Sequence, residues 1–376
     1  MFLCQYKEEK NMPIKESSFR IGCGRYLQGE NMISEAGKEI LRHGSYPLIV
    51  GDDNAFAAAG EALIESVKSS CNKYEMIVHN GTCNEERAKE LAKLKESIPY
   101  DVIVGVGGGV IMDFSKLCGY YAKCPVINIP TSSATCAAYT PLSVRYSPEG
   151  KTVGSIHYDY EVDGVICDTA IMLKQPIRLF LAGVFDALAK FVEIKQRYRE
   201  DSNEEYPLGL DYAYVMSKYT FGLFDRDTAL CIEDMKNGEL TQRFENMIFA
   251  TVAATGVISG VARGSNQTAI AHKFYEMTRV LFQESAKPYL HGEIVGVGLL
   301  LQNHFNGEED KNAFLLELMN KHGMPSKITD IGITPTEETK NRYLELIAHS
   351  SAIDNASDED IEKLRAALDY LWRMAK

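Results

Sequence analysis

The sequence predicts two domains: an α/β half carrying a parallel sheet over residues 1–170, and an all-helical half over residues 171–376. Three observations support this. At 376 residues the chain exceeds ordinary single-domain size and is long enough for two hydrophobic cores. Its first half alternates short β-branched runs with longer helix-patterned stretches, the pattern of βαβ units and of a sheet covered on both faces. Beyond about Ala170 the β signal fades, and Ala, Leu, Met, Lys and Glu recur with helical period between Pro176, Pro207, Pro288, Pro325 and Pro335.

Taken in order, "YPLIV" ends at Val50 and precedes a helix over Ala55 to Cys71. "YEMIV" precedes a helix over Asn84 to Ser97, and "DVIVGV" precedes one over Val110 to Ala122. "PVINIP" closes the alternation. "LSVRY" and "VGSIHY", joined through "SPEGK", read as a hairpin projecting from this domain, and "DGVICDT" as one more strand. In the helical half, Asn246 to Ala262 has no formal charge and carries Gly256 and Gly260 at GxxxG spacing. It is short for a membrane span and interrupted by small and polar residues, so it reads as a buried helix whose glycines allow close packing. Tyr198 to Pro207 reads as a polar loop, and the chain has no internal repeat or low-complexity tract.

Composition narrows the partners. The net charge is -12, and no Lys/Arg-rich run interleaved with aromatics occurs, which argues against nucleic acid and anionic membrane and for a small molecule. Cys4, Cys23, Cys71, Cys83, Cys118, Cys124, Cys136, Cys167 and Cys231 are odd in number, scattered and without a CxxC pair. That suits neither a disulfide framework nor a thiolate zinc site, and a reducing cytoplasm is expected. "MFLCQYKEEKNMPIKE" turns charged too early for a signal peptide, with the same implication.

Several stretches carry possible chemistry. "VGVGGGVIMD", Val104 to Asp113, runs from a strand through glycines into a helix. Gly105 and Gly107 supply G-x-G, but Val110 stands where the dinucleotide fingerprint has its third glycine. The turn can bring backbone amides to a phosphate, or can be a tight strand-to-helix turn with no ligand. Asp52 can accept from a ribose diol, which would favour NAD over NADP, or can cap the helix that "DDNAF" opens. Asn128 to Tyr146 is a loop crowded with small hydroxyls, able to bond a nucleotide or to form an ordinary turn. Asp186, His272 and His291 sit in apolar surroundings; one carboxylate and two imidazoles suit zinc or ferrous iron, although each histidine can equally be a hydrogen-bonded structural residue. His304 can line the same cavity or lie at a helix end, while His43, His79, His157, His322 and His349 read as surface residues.

The ordered set "GVGGGVIMDFSK", "PTSSATCAAYTPLSVRYSPEG", "AGVFDALAKFVE", "AIAHKFYE" and "YLHGE" resembles the metal-dependent, iron-containing type of alcohol dehydrogenases, and within them the glycerol dehydrogenase branch, over nearly the whole chain. The resemblance implies a Rossmann-like nucleotide domain facing a helical metal-binding domain, the two-domain architecture shared with dehydroquinate synthase. It implies that Gly107, Gly108, Gly109 and Asp113 lie along the cofactor pyrophosphate. Thr131, Thr140, Leu142 and Tyr146 would line the nucleotide, with Asp52 at its ribose. Asp186, His272 and His291 would hold one divalent metal, zinc rather than iron, because Lys190 stands where the iron branch has a fourth ligand. The implied chemistry is hydride transfer between NAD(H) and a small alcohol or carbonyl in a cytoplasmic homo-oligomer, with the metal polarising the substrate oxygen.

Three departures shift the expectation. Val110 replaces a lysine of the glycine turn, Ala134 a serine near the nucleotide, and Cys136 the aspartate that contacts glycerol. Losing that carboxylate removes repulsion toward acidic substrates, and Arg145 is close in sequence, so a 2-oxo acid or hydroxycarboxylate is an alternative substrate. A dehydroquinate synthase-like lyase or a glycerol-1-phosphate dehydrogenase would need a basic phosphate pocket, and no basic cluster follows Asp186. A nucleotide-binding protein with a defunct metal site is disfavoured because all three ligands are intact.

Overall fold

A computed structural model describes residues 21–148, 150–200 and 202–375. Cys4 and the N-terminal segment read above for targeting lie outside the described residues, as do Glu149 in the hairpin turn and Asp201 in the polar loop.

Six parallel strands form one sheet: β1 (Tyr26–Gly29), β2 (Pro47–Gly51), β3 (Glu75–Val78), β4 (Val102–Gly107), β5 (Val126–Pro130) and, after a separate hairpin of β6 (Leu142–Tyr146) and β7 (Thr152–His157), β8 (Gly164–Asp168). The order is β1-β8-β5-β4-β2-β3. Strands β2, β4, β5 and β8 are buried throughout, as β-branched runs covered on both faces require. Alternation assigns the layers. Ile49, Val104 and Ile129 face the helices α1 (Ala36–Leu41) and α3 (Glu61–Ser70), whereas Leu48, Val50 and Ile103 face α4 (Glu85–Lys93) and α5 (Gly109–Ala122). Short α2 (Asp53–Ala55) and a π turn over Phe56–Gly60 lead into α3, so the helix expected from Ala55 is broken near its start.

All regular structure described after β8 is helical: α6 (Thr169–Leu173), α7 (Ile177–Ile194), α8 (Leu208–Asn237), α9 (Gln242–Phe249), α10 (Thr255–Ala262), α11 (Ile270–Leu281), α12 (Gln283–Ala286), α13 (His291–Phe305), α14 (Asn312–Lys321), α15 (Glu337–Ala348) and α16 (Asp358–Met374). Helices α7 and α13 form the centre. They cross so closely that a β-carbon at Gly292 would stand 1.8 Å from the Ala182 carbonyl oxygen. One apolar core runs through this half and takes in Ile111, Met112, Val165 and Cys167, joining it to the sheet.

Three expectations are refined. Strand β1 gives almost no sequence signal, being four half-buried residues paired only with β8. The uncharged stretch from Asn246 lies in a continuous helical run over Gln242–Ala262, apolar enough to span a membrane by composition but 67% buried within the fold. Its Gly256 packs on Tyr139, where a β-carbon would stand 2.4 Å from the ring. His79 is not a surface residue: it is 8% exposed, stacks on Phe114 at 3.8 Å and places Nε2 2.9 Å from the Thr82 carbonyl. Its polar sequence neighbours concealed an inward-facing ring.

Candidate functional site

The glycine turn lies at the carboxyl end of β4. Gly107 has φ 155°, and a β-carbon there would stand 2.9 Å from Ile111; one at Gly105 would stand 2.4 Å from Ser115 Oγ. Helix α5 starts from Gly108 without a side-chain cap, which leaves its first amides available to an outside acceptor, and Val110 is exposed beside them. Asp52 makes the helix cap, one of the two roles considered for it. Its Oδ1 accepts from Ala55 N at 2.8 Å as a helix cap, and its Oδ2 lies 3.4 Å from where a Gly107 β-carbon would be.

The hydroxyl-rich loop after β5 is held from below and behind. Thr131 N donates to Gly107 O at 3.0 Å, and Ser133 N donates to Gln175 Oε1 at 2.8 Å. The loop lies directly on α7: a β-carbon at Gly183 would stand 1.8 Å from Ser133 O. Lys116, 3% exposed, donates to the carbonyls of Ala137 (2.7 Å), Thr140 (2.9 Å) and Leu142. Its Nζ also stands 3.0 Å from Asp113 Oδ1 without the alignment of a hydrogen bond. Asp113, expected along a pyrophosphate, is turned into the fold and accepts from Val144 N at 3.0 Å. Burial pushes its carboxyl up, against Lys116 and that amide. Tyr146 reaches the helical half: burial and the neighbouring Tyr275 of α11 push its phenol well above the usual range. Arg145 pairs through Nη1 with Glu85 at 2.8 Å, and its Nε is buried without a partner among the described residues.

Asp186 on α7, His272 on α11 and His291, the first residue of α13, converge. Asp186 Oδ1 is 3.3 Å from His272 Nε2 and 3.2 Å from His291 Nε2, and the three candidate ligand atoms lie within 4.8 Å of one another. One carboxylate oxygen and two imidazole nitrogens in this arrangement fit a single divalent cation. Burial pushes the Asp186 carboxyl up, but His291, His272 and Lys190 outweigh it and hold the group well below the usual range.

Sequence reasoning missed the supports of this cluster. Glu193, fully buried two helical turns after Asp186, accepts from His272 Nδ1 at 2.5 Å, from His272 N at 2.9 Å and from Ala269 N at 2.7 Å. It thereby orients the ring and leaves Nε2 toward Asp186. A buried glutamate on an apolar helix was the available signal. Ahead of His291, Glu293 accepts from Leu290 N and from Arg178, which also donates to Pro288 O; Arg279 donates to the carbonyls of Ala286 and Tyr289. The chain entering α13 is therefore fixed at both ends. Cys136, on the loop, is half-buried and faces the same cluster: burial and Asp186 push its thiol up to about 11. His304 sits in the last turn of α13 against Tyr370, about 20 Å from His291 along the helix, so it does not line this cavity.

Residues 23–172 match the family model described as iron-containing alcohol dehydrogenase. A glycerol dehydrogenase from Thermotoga maritima is 30% identical over 91% of this chain and 86% of its own length. Hydroxycarboxylate dehydrogenase A from Escherichia coli is 29% identical over 68% of this chain and 70% of its own. The crystal structure of a probable glycerol dehydrogenase from Sinorhizobium meliloti superposes with a TM-score of 0.77 at 21% identity, covering 95% of this chain and 99% of the other, a likeness of fold.

Proposed function

Because the chain belongs to the iron-containing alcohol dehydrogenase family and is an oxidoreductase, we propose that it transfers hydride between NAD(H) and a small hydroxy compound or its carbonyl. In this reading residues 1–170 bind the dinucleotide and residues 171–376 hold one divalent cation through Asp186, His272 and His291. The observation that carries it is the convergence of these three side chains from α7, α11 and α13, with the loop after β5 packed against α7 at Gly183.

When bound, the cation supplies Lewis acidity at the substrate oxygen, and the dinucleotide supplies or takes the hydride. The chain's own residues do the rest by positioning. Gly107, Gly108 and Gly109 let backbone amides approach the pyrophosphate, and Asp52 faces the ribose, which favours NAD over NADP. Thr131, Thr140, Leu142 and Tyr146 line the nucleotide on a loop that Lys116 holds by its carbonyls. Asp113 acts one step back, fixing the hairpin through Val144. Glu193 keeps the proton of His272 on Nδ1, so that Nε2 presents its lone pair to the cation. Zinc is preferred over iron because the position one turn after Asp186 is Lys190, not a fourth ligand. Eight free thiols among the described residues accord with a cytoplasmic setting, and the exposed stripe Leu208, Tyr212, Val215 and Tyr219 on α8 accords with a homo-oligomer.

NADH and NADPH oxidation is followed with dihydroxyacetone, simple aldehydes and 2-oxo acids, using cation-loaded and chelated protein. Cation-dependent oxidation that prefers NADH and is lost in His272→Ala supports the proposal. Cation bound in stoichiometric amount with no carbonyl reduced by either cofactor overturns it.

A further inference from the structure

Lys190 is the one cationic side chain on the same helix face as Asp186, a single turn further along α7, and it is 5% exposed. It donates no hydrogen bond and forms no ion pair among the described residues. The neighbouring carboxylates are committed elsewhere: Glu193 to Ala269 and His272, and Asp186 to the two histidines. The i, i+4 spacing on α7 and the near-complete enclosure of the side chain put the ammonium beside them. The ammonium of a side chain so nearly enclosed, with no hydrogen bond to the described residues, gains by an acceptor from outside the chain. Charge gives the same answer. With a divalent cation in place, the two acids Asp186 and Glu193 are balanced and Lys190 leaves one positive charge over, while Asp113 and Lys116 cancel each other.

Resting on the hydride-transfer reading above, we propose that Lys190 binds a carboxylate carried on the carbon next to the reacting carbonyl, making the substrate class 2-oxo acids and their 2-hydroxy acids. Such a molecule presents two oxygen-bearing groups on adjacent carbons, one for the cluster at Asp186 and one for the ammonium a helical turn away. Arg145, the cation that sequence proximity offered for this task, has its Nη1 on Glu85 at 2.8 Å and its Nε enclosed. Cys136 contributes by what it lacks: a half-buried neutral thiol near Asp186 does not repel the incoming carboxylate.

The test compares 2-oxobutanoate with the neutral 1-hydroxy-2-butanone in NADH oxidation by the zinc-loaded protein, for wild type, Lys190→Met and Lys190→Arg. Binding of unreactive oxamate to the zinc- and NADH-loaded forms is titrated by calorimetry. Zinc content and thermal unfolding are measured on each variant. The proposal expects wild type to favour the acid and Lys190→Met to lower the acid-to-neutral ratio of kcat/KM about thirtyfold, mostly through KM, with oxamate binding weakened similarly; a charge-assisted hydrogen bond is of that size. Lys190→Arg restores part of both. A wild type that reduces the neutral ketone better, or a Lys190→Met that weakens both substrates alike, overturns the proposal and leaves the dehydrogenase reading standing. If no carbonyl is reduced, that broader reading fails. Oxamate binding then decides the anion site alone, with equal affinity in wild type and Lys190→Met refuting it.

Discussion

Replacing Glu193 by glutamine isolates the orientation of one imidazole from the rest of the fold. Glu193 receives three N–H groups: two backbone amides, from Ala269 at 2.7 Å and His272 at 2.9 Å, and His272 Nδ1 at 2.5 Å. The glutamine oxygen can keep both amides, so the start of α11 stays formed. Its NH2 group then faces Nδ1, which can accept only if the ring proton moves to Nε2, the atom 3.3 Å from Asp186. A protonated Nε2 cannot ligate a cation. Loss of such a support costs roughly 10- to 100-fold in metal affinity, or about 1.4–2.7 kcal/mol. Competition against a chromophoric chelator near neutral pH measures this, with a thermal melt recorded on the same sample. Zinc affinity within about threefold of wild type, with an intact melt, refutes the reasoning. Glu193→Ala differs: it strands two buried amides at about 1–3 kcal/mol each and lowers urea stability as well.

Further outcomes follow from the same geometry. Gly183→Ala places a methyl against Ser133 O and pushes the loop off α7; stability falls by about 3 kcal/mol in urea unfolding and NADH binding weakens, and a native-like value for both would contradict that packing. Lys116→Met leaves Asp113 buried without its counter-charge and three carbonyls without their donor, so unfolding free energy drops by about 3–5 kcal/mol; a loss under about 1 kcal/mol would show that the clamp is dispensable. Cys136, pushed up to about 11 by burial and Asp186, stays a thiol at neutral pH, so iodoacetamide labelling read by mass spectrometry is slow and accelerates only toward that pH. Labelling near neutrality at the rate of a free thiol would contradict this. Because the folded pKa is raised, the associated stability is complete below the unfolded thiol pKa and is lost as pH rises through about 11.

The sheet could be read from the sequence because strands buried on both faces are continuous β-branched runs, and β2, β4, β5 and β8 end within a residue or two of where those runs stop. Strand β1 could not, since Tyr26 to Gly29 becomes a strand only by pairing with β8. The cluster was harder. His291 lies 105 residues from Asp186, a separation that no short motif spans, and only the resemblance joined the three residues before the fold brought them together. Asp52 was read as cap or ribose contact; Oδ1 makes the cap, and Oδ2 lies beside Gly107. Lys116 left no trace in sequence as a clamp because its partners are backbone carbonyls, whose positions are a product of the fold. Arg145 misled for the converse reason, its partner Glu85 being 60 residues away.

Gly183 and Gly292 leave α7 gripped on two sides with no side-chain cushion at either, by the Ser133 loop and by α13. Helix α7 also carries Asp186, and α13 begins with His291. A movement of the loop by a few tenths of an ångström is therefore transmitted as a displacement of the carboxylate, not absorbed by a rotamer change. On the proposed reading, dinucleotide and cation then share one coupling free energy: whatever factor the dinucleotide applies to cation affinity, the cation returns to dinucleotide affinity.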